Sequence, residues 1–177
     1  MNEIIRAKRA VVRFCPGIEV EGFELPDSSY HVSITTASKA IGFASNWLTL
    51  TLKRRAKALN TLSGLGFRNN ISDVLTVSKT GDKSAKLISI GDFSSCILYA
   101  ASQGKKEAIA LNMALTQMSL TDFFRDAFGV RPLTIEEKRA AFYKTYAESL
   151  SWEDWLAMDR EDARIIQESL MFLSECV

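Results

Sequence analysis

Three cysteines, three prolines and a single histidine in 177 residues leave little room for several kinds of protein. Cys15, Cys96 and Cys176 are odd in number and lie far apart, so no pair has the short spacing that puts two thiolates on one zinc ion. They are expected as reduced thiols of a reducing compartment, at least two packing as small hydrophobes. No metal and no other cofactor is expected. His31 falls in a predicted strand and is expected as a core or surface residue. No apolar run approaches the roughly 20 residues that span a bilayer. Met1 to Arg13 also lacks the continuous apolar stretch and small-residue cleavage site of a secretory signal. The expectation is a cytoplasmic chain with no membrane partner.

Motifs of the common enzymes are missing as well. There is no Gly-x-x-x-x-Gly-Lys-Ser/Thr loop, no Gly-x-Ser-x-Gly elbow and no zinc-binding helix. Gly64-Leu65-Gly66-Phe67 is too short for a dinucleotide fingerprint and follows a predicted helix rather than a strand. A magnesium-dependent nuclease needs clustered carboxylates. Asp73, Asp82 and Asp92 are scattered over two strands and a helix start, although Asp73 with Asp92, or Glu19 with Glu21, could converge. A non-enzyme without a small-molecule substrate is the favoured expectation, with the nuclease kept as an alternative.

What the chain does have is apolar substance and a lopsided charge. It is 47% hydrophobic with ten phenylalanines, enough to offset the ordering entropy that keeps polar chains unfolded. The net charge of +1 conceals 15 basic against 8 acidic residues up to Lys106, and 7 against 13 from Glu107 onward. Such asymmetry points to a polyanion-binding half, or to two faces that complement each other across a dimer.

Along the chain, Arg6 to Phe14 reads as a short helix or as an arm leading into a strand. Basic termini do serve as minor-groove arms, and whether Arg6, Lys8 and Arg9 form one is left open by the sequence. Ile18 to Leu25 and Tyr30 to Ile34 alternate apolar and polar residues around Pro26-Asp27-Ser28-Ser29, which predicts a hairpin. Thr35 or Thr36 is the expected N-cap of a short helix, Ala37 to Ile41, stopped by Gly42. Ser45 or Asn46 caps a second helix through Trp47, Leu48, Leu52, Ala56 and Leu59, ended by Ser63-Gly64-Leu65-Gly66. Val74 to Val77 and Ala85 to Ile90 form a second hairpin about a turn at Lys79–Lys83. Helices follow from Gly91, from Lys106 to Met118, and from Leu120 to Phe128 after a cap at Ser119. Thr134-Ile135-Glu136-Glu137 has the form of a capping box and starts a helix to about Ser149. Ser151-Trp152-Glu153-Asp154 is a further capping signal, and Asp159 to Cys176 is a last amphipathic helix with Ile165, Ile166, Leu170 and Leu173.

The predicted class is α+β: small antiparallel hairpins, a helix-turn-helix-like segment and a helical C-terminal half. Thr35 to Lys57 is the centre of interest. A helix-turn-helix buries its first helix and lays its second in the major groove. Thr49, Lys53, Arg54 and Lys57 are suited to such a groove. Arginine can grip guanine bidentately, lysine meets phosphate and threonine can touch a thymine methyl. Asn46 and Arg68 join them as candidate contacts, and Lys79, Lys83 and Lys86 would form a basic wing over the backbone. Ala37 stands five residues before Gly42, so the turn is irregular for this motif.

The stretch YHVSITTASKAIGFASNWL, Tyr30 to Leu48, resembles the start of the KilA-N domain of phage and viral proteins. KLISIGDFSSCILYAASQGKKEAIALNMAL, Lys86 to Leu115, is similar to a segment of phage antirepressors and BRO-type proteins. The resemblance spans Ile18 to Gly129. It implies a DNA-binding module over residues 1–130, double-stranded DNA as partner, and transcriptional or replication control. The helices over 131–177 match no part of it and are expected to pack back on the domain or to dimerise, a homodimer suiting a reader of two half-sites. Trp152, Trp155, Phe172 and Leu173 are candidates for the dimer surface. A protein-interaction or anti-defence adaptor without DNA binding is the alternative.

Overall fold

A computed structural model describes residues 5–15, 18–54, 57–76 and 83–149. The chain is α+β, as its patterning implies. Its strands are β1 (Ile5–Arg6), β2 (Lys8–Cys15), β3 (Ile18–Glu24), β4 (Tyr30–Ser33), β5 (Ser72–Thr76) and β6 (Lys83–Ser89). The helices are α1 (Ile34–Ala40), α2 (Trp47–Arg54), α3 (Lys57–Gly64), α4 (Ile90–Ser102), α5 (Lys106–Ala127) and α6 (Ile135–Ser149).

The two expected hairpins are present, but they belong to one sheet of order β1-β5-β6-β4-β3-β2. The β3–β4 turn closes through Leu25 N–H on the Ser29 carbonyl, and the Asp27 carboxylate accepts the Ser29 amide at 2.9 Å. β4 then pairs antiparallel with β6, Val32 opposite Ile88, which joins the halves. Among the described strands, only the two-residue β1 runs parallel to its neighbour, β5.

Arg6 to Phe14 is neither helix nor arm. Arg6 belongs to β1, and from Lys8 onward the segment is the edge strand β2, whose cations are spent across the strand pair. Lys8 meets Glu24 at 3.1 Å, Arg9 meets Glu21, and Arg13 meets Glu19 at 3.2 Å. Lys8 and Arg9 are therefore strand partners of β3 rather than a minor-groove reach.

Side chains alternate across a strand, so each strand feeds two faces. Ile18, Val20, Val32 and Ile88 point into the main core with Phe93, Ile97 and Ala100 of α4. Ala108, Ala110, Leu111 and Ala114 of α5 are fully buried in it, and the three small alanines let α5 lie close to α4. Phe23, Leu25, Val74 and Leu87 form a smaller cluster on the opposite face. Phe142 and Tyr146 of α6, within the expected 131–177 extension, belong to the main core, where Phe142 stacks on Phe14 of β2.

Two helix boundaries, those of α1 and α5, differ from expectation. α1 starts at Ile34 with Ser33 in the cap position and no side-chain cap. Thr36 instead accepts the Glu21 amide at 3.0 Å, satisfying β3 where β4 no longer pairs. The single helix expected through Leu59 is described as α2 and α3, since 55–56 lie outside the described residues. α5 runs unbroken through Ser119 for 22 residues. The capping box at Thr134 forms as expected: Glu137 accepts the Thr134 amide at 2.7 Å and donates its own to the Thr134 hydroxyl at 3.2 Å. The capping signal at Ser151, the expected last helix from Asp159 to Cys176, and with them Trp152, Trp155, Phe172 and Leu173, lie outside the described residues.

Two outcomes are expected from this packing. Phe142→Ala should cost about 3–5 kcal/mol, the usual loss for emptying a buried aromatic site, in a single urea transition. An early separate transition would show that α6 is not part of the body. The second concerns Glu137, whose carboxyl is held down to about 2, chiefly by Arg131 and then by the Thr134 amide. A carboxylate depressed in the folded state adds stability that is whole above about pH 4.5 and fades as pH falls toward 2. Wild type and Glu137→Gln should thus differ in melting temperature at pH 7 and converge near pH 2. A gap independent of pH would refute the ion pair.

Candidate nucleic-acid interface

The site is built around the turn between α1 and α2. α1 buries Ile34, Ala37, Ser38 and Ala40. It ends in a double-bonded C-cap, with Phe43 N–H on the Ser38 carbonyl and Gly42 N–H on that of Lys39, both at 3.0 Å. Gly42 takes φ +81°, where a side chain would be strained, and a Cβ there would also strike the Glu107 carboxylate. The chain then enters α2 through Phe43, stacked on Trp47 with centroids 4.1 Å apart. Trp47 lies 5.7 Å from Tyr99 of α4, and the Lys105 ammonium sits 4.9 Å above the Phe43 ring. Aromatic stacking thus ties the start of α2 to the core helix, as such pairs prefer.

Leu48 and Thr51 turn inward from α2. Asn46, Lys53, Arg54 and Lys57 are exposed, as is Arg68, whereas Thr49 is half-buried. Leu50 holds the exposed position between Asn46 and Arg54, and Lys39 stands exposed in the last turn of α1; sequence reasoning passed over both. Of the wing, Lys79 and the Lys83 side chain lie outside the described residues. Lys86 is exposed but bonded to Asp73 at 3.1 Å, its opposite number in the β5–β6 register. Its charge is largely offset.

A stronger signal lies in what surrounds these residues. From Ser28 to Ser72 there is no aspartate or glutamate, against six cations: Lys39, Lys53, Arg54, Arg55, Lys57 and Arg68. Among the described residues, the side chains of Lys39, Lys53, Arg54, Lys57 and Arg68 have no acidic partner. The four cations placed on β2 and β6 above each have one. This acid-free run was legible from the sequence without any structure.

The far end of the segment is clamped to α4. Ser89 caps α4 by accepting the Asp92 amide at 3.0 Å. The buried Asp92 carboxylate accepts the Arg68 amide at 2.6 Å, and the Ser95 hydroxyl donates to the Leu65 carbonyl at 3.1 Å. The second Asp92 oxygen has no hydrogen-bond partner among the described residues. Cys96, one turn on, is a buried thiol pushed up to about 12 by burial and by Asp92, so it packs as a hydrophobe.

Asp73 is therefore engaged with Lys86, Asp92 with the Arg68 amide, and Glu19 and Glu21 with arginines of β2. Among the described residues, no group of three or more His, Cys, Asp or Glu is placed to hold a metal ion. None of the described helices is long and apolar enough to cross a membrane. His31 is half-buried beside the Ser29 hydroxyl. A cleft of about 530 Å³ opens on the sheet between β2, β4 and α4, with Val12, Phe14, Gly22, Tyr30 and Ile90 in its walls. Its charged rim, Lys8 with Glu24 and Arg9 with Glu21, is internally paired.

No protein-family model, curated protein or solved structure matches this chain.

The Asp92 clamp is testable. Asp92→Ala orphans the Arg68 amide and should cost about 1–3 kcal/mol, whereas Asp92→Asn retains an acceptor and should cost less. Equal urea midpoints for the two variants would show that the bond to Arg68 contributes nothing.

Proposed function

We propose that the chain binds double-stranded DNA through the exposed basic side of α1, α2 and α3. The observation that carries this reading is the acid-free run from Ser28 to Ser72, whose exposed cations lack acidic partners among the described residues. Lysines and arginines facing water without carboxylates between them match a backbone of closely spaced phosphates. Lys39, Lys53 and Lys57 would supply phosphate contacts. Asn46 and Arg54 are the groups suited to base edges. Thr49 is half-buried and Lys86 is paired, so both take lesser parts; Arg68 and any contribution from Lys79 and Lys83 sit at the margin.

The KilA-N and BRO resemblance of Tyr30–Leu48 and Lys86–Leu115 adds the expected setting, transcriptional or replication control of phage or plasmid type in a cytoplasm. No cofactor or small-molecule substrate enters the reading. The competing one, a protein-interaction adaptor without DNA binding, draws on three exposed phenylalanines, Phe123, Phe124 and Phe128.

Gel retardation of random duplex at varied salt separates the two. Six neutralised phosphates give a log–log slope of about −5. Lys53→Ala/Arg54→Ala/Lys57→Ala should flatten the slope by about 2, for the two phosphate-meeting lysines, with an unchanged circular dichroism spectrum, while Lys86→Ala should change it much less. Absence of any retardation at low salt would sink DNA binding and leave the adaptor.

A further inference from the structure

α5 is longer than the body it packs on. Its 22 residues span about 33 Å, yet its buried residues, Ala108, Ala110, Leu111 and Ala114, all lie in the first half. Beyond Ala114 its polar contacts go to α6 and to the turn that precedes it, with Gln117 accepting from the Thr145 hydroxyl at 2.7 Å. Asp122 accepts from Lys138 at 2.5 Å and from the Leu133 amide at 3.1 Å, and Arg125 donates to the Arg131 carbonyl at 2.7 Å. At 3.6 residues per turn, Asp122 and Asp126 fall on the side away from Met113, Leu120 and Phe124, and Arg125 lies at the border, where it also lines the hollow beside Phe124.

The outward side is apolar. Leu120 is 54% exposed, Phe123 72%, Phe124 65% and Phe128 79%, with Met113 and Val130 exposed beside them. Where a fully exposed phenylalanine offers about 200 Å², the three rings alone present on the order of 400 Å². That already fills the largest apolar patch usual for a monomer. With the three aliphatic neighbours the face approaches the roughly 800 Å² that each partner gives to a stable interface.

We propose that this face pairs two copies of the chain, α5 against α5 about a two-fold axis. A two-fold contact sets a surface against itself, so net charge on it would repel; the charged group in the wall of this face's hollow, Arg125, donates back to the Arg131 carbonyl at 2.7 Å. It also offers both halves of a fit: a hollow of about 380 Å³ walled by Leu120, Phe124, Phe128 and Val130 with Arg125, and the exposed Phe123 ring, which is not part of that hollow. Phe123 of one copy fills the hollow of the other. The pairing is independent of DNA binding, though it would set two basic segments at a fixed spacing, as dimeric readers of two half-sites require.

Sedimentation velocity of the full chain, without DNA, tests it. The wild type should run as a dimer at micromolar concentration. Leu120→Glu/Phe124→Glu should weaken self-association by at least about thirtyfold, the size of a hot-spot loss, with an unchanged circular dichroism spectrum. Phe128→Ser should weaken it less. A dimer that survives the double variant would overturn the proposal by placing the contact elsewhere. A monomeric wild type would do so too: a lower melting temperature in the variant would then mean that the chain's own residues 150–177 cover the face, and an unchanged one that a different protein does.

Discussion

Three residue pairs between β4 and β6, His31 with Ser89, Val32 with Ile88 and Ser33 with Leu87, hold the rest of the molecule in place. They join segments more than fifty residues apart and close the excursion that carries α1, α2 and α3. Without them there would be two local hairpins, each too small to stand alone in water. With them there is one sheet whose main face, Val20, Val32 and Ile88, receives α4 and through it α5 and α6. Closing so long a loop carries an entropic cost that grows only slowly with its length. The burial of Val32, Ile88 and Leu87, each at 2% exposure or less, is what opposes it.

Two further ties turn the closed excursion into a defined surface. The Phe43–Trp47–Tyr99 stack fixes where α2 begins, and the Asp92 and Ser95 bonds fix where the turn after α3 ends. Both ends are fastened to α4, so the helices between them are positioned from the core rather than by their own hydrogen bonds. This arrangement explains how α2 can expose Lys53 and Arg54 without acidic neighbours. The apolar side, Leu48 with the aromatic stack, supplies the stability that surface ion pairs would contribute little of in any case.

Local chemistry was legible in the sequence, and distant pairing was not. The Asp27 turn, the Gly42 stop and the Thr134 capping box each depend on residues within a few positions of one another, and each forms as expected. β2 was opaque because Lys8, Arg9 and Arg13 have no apolar rhythm of their own; their strand is legible only beside Glu19, Glu21 and Glu24 of β3. Lys86 looked like a wing cation for the same reason, since Asp73 comes opposite it only through the β5–β6 register. Ser119 imitates an N-cap, but an exposed serine on a continuing helix has the same local sequence. Of the basic cluster the sequence named the residue types well. It did not show that Thr49 turns partly inward and Leu50 outward, because that depends on how α2 is rotated by Trp47.

The charge asymmetry between the halves acquires a physical meaning from this division. On the sheet, cations and carboxylates answer one another strand to strand, so that region's excess is small. The positive excess of the first half therefore concentrates in Ser28–Ser72, where no carboxylate is present to absorb it. In the second half Asp122 of α5 meets Lys138 of α6, and Arg131 of the turn between them meets Glu137, while Leu120, Phe123 and Phe124 stand exposed on the outer side of α5. One half thus presents exposed cations and the other exposed rings. Neither surface competes with the other for the same kind of partner, so a single body can engage a polyanion with one and an apolar face with the other at the same time.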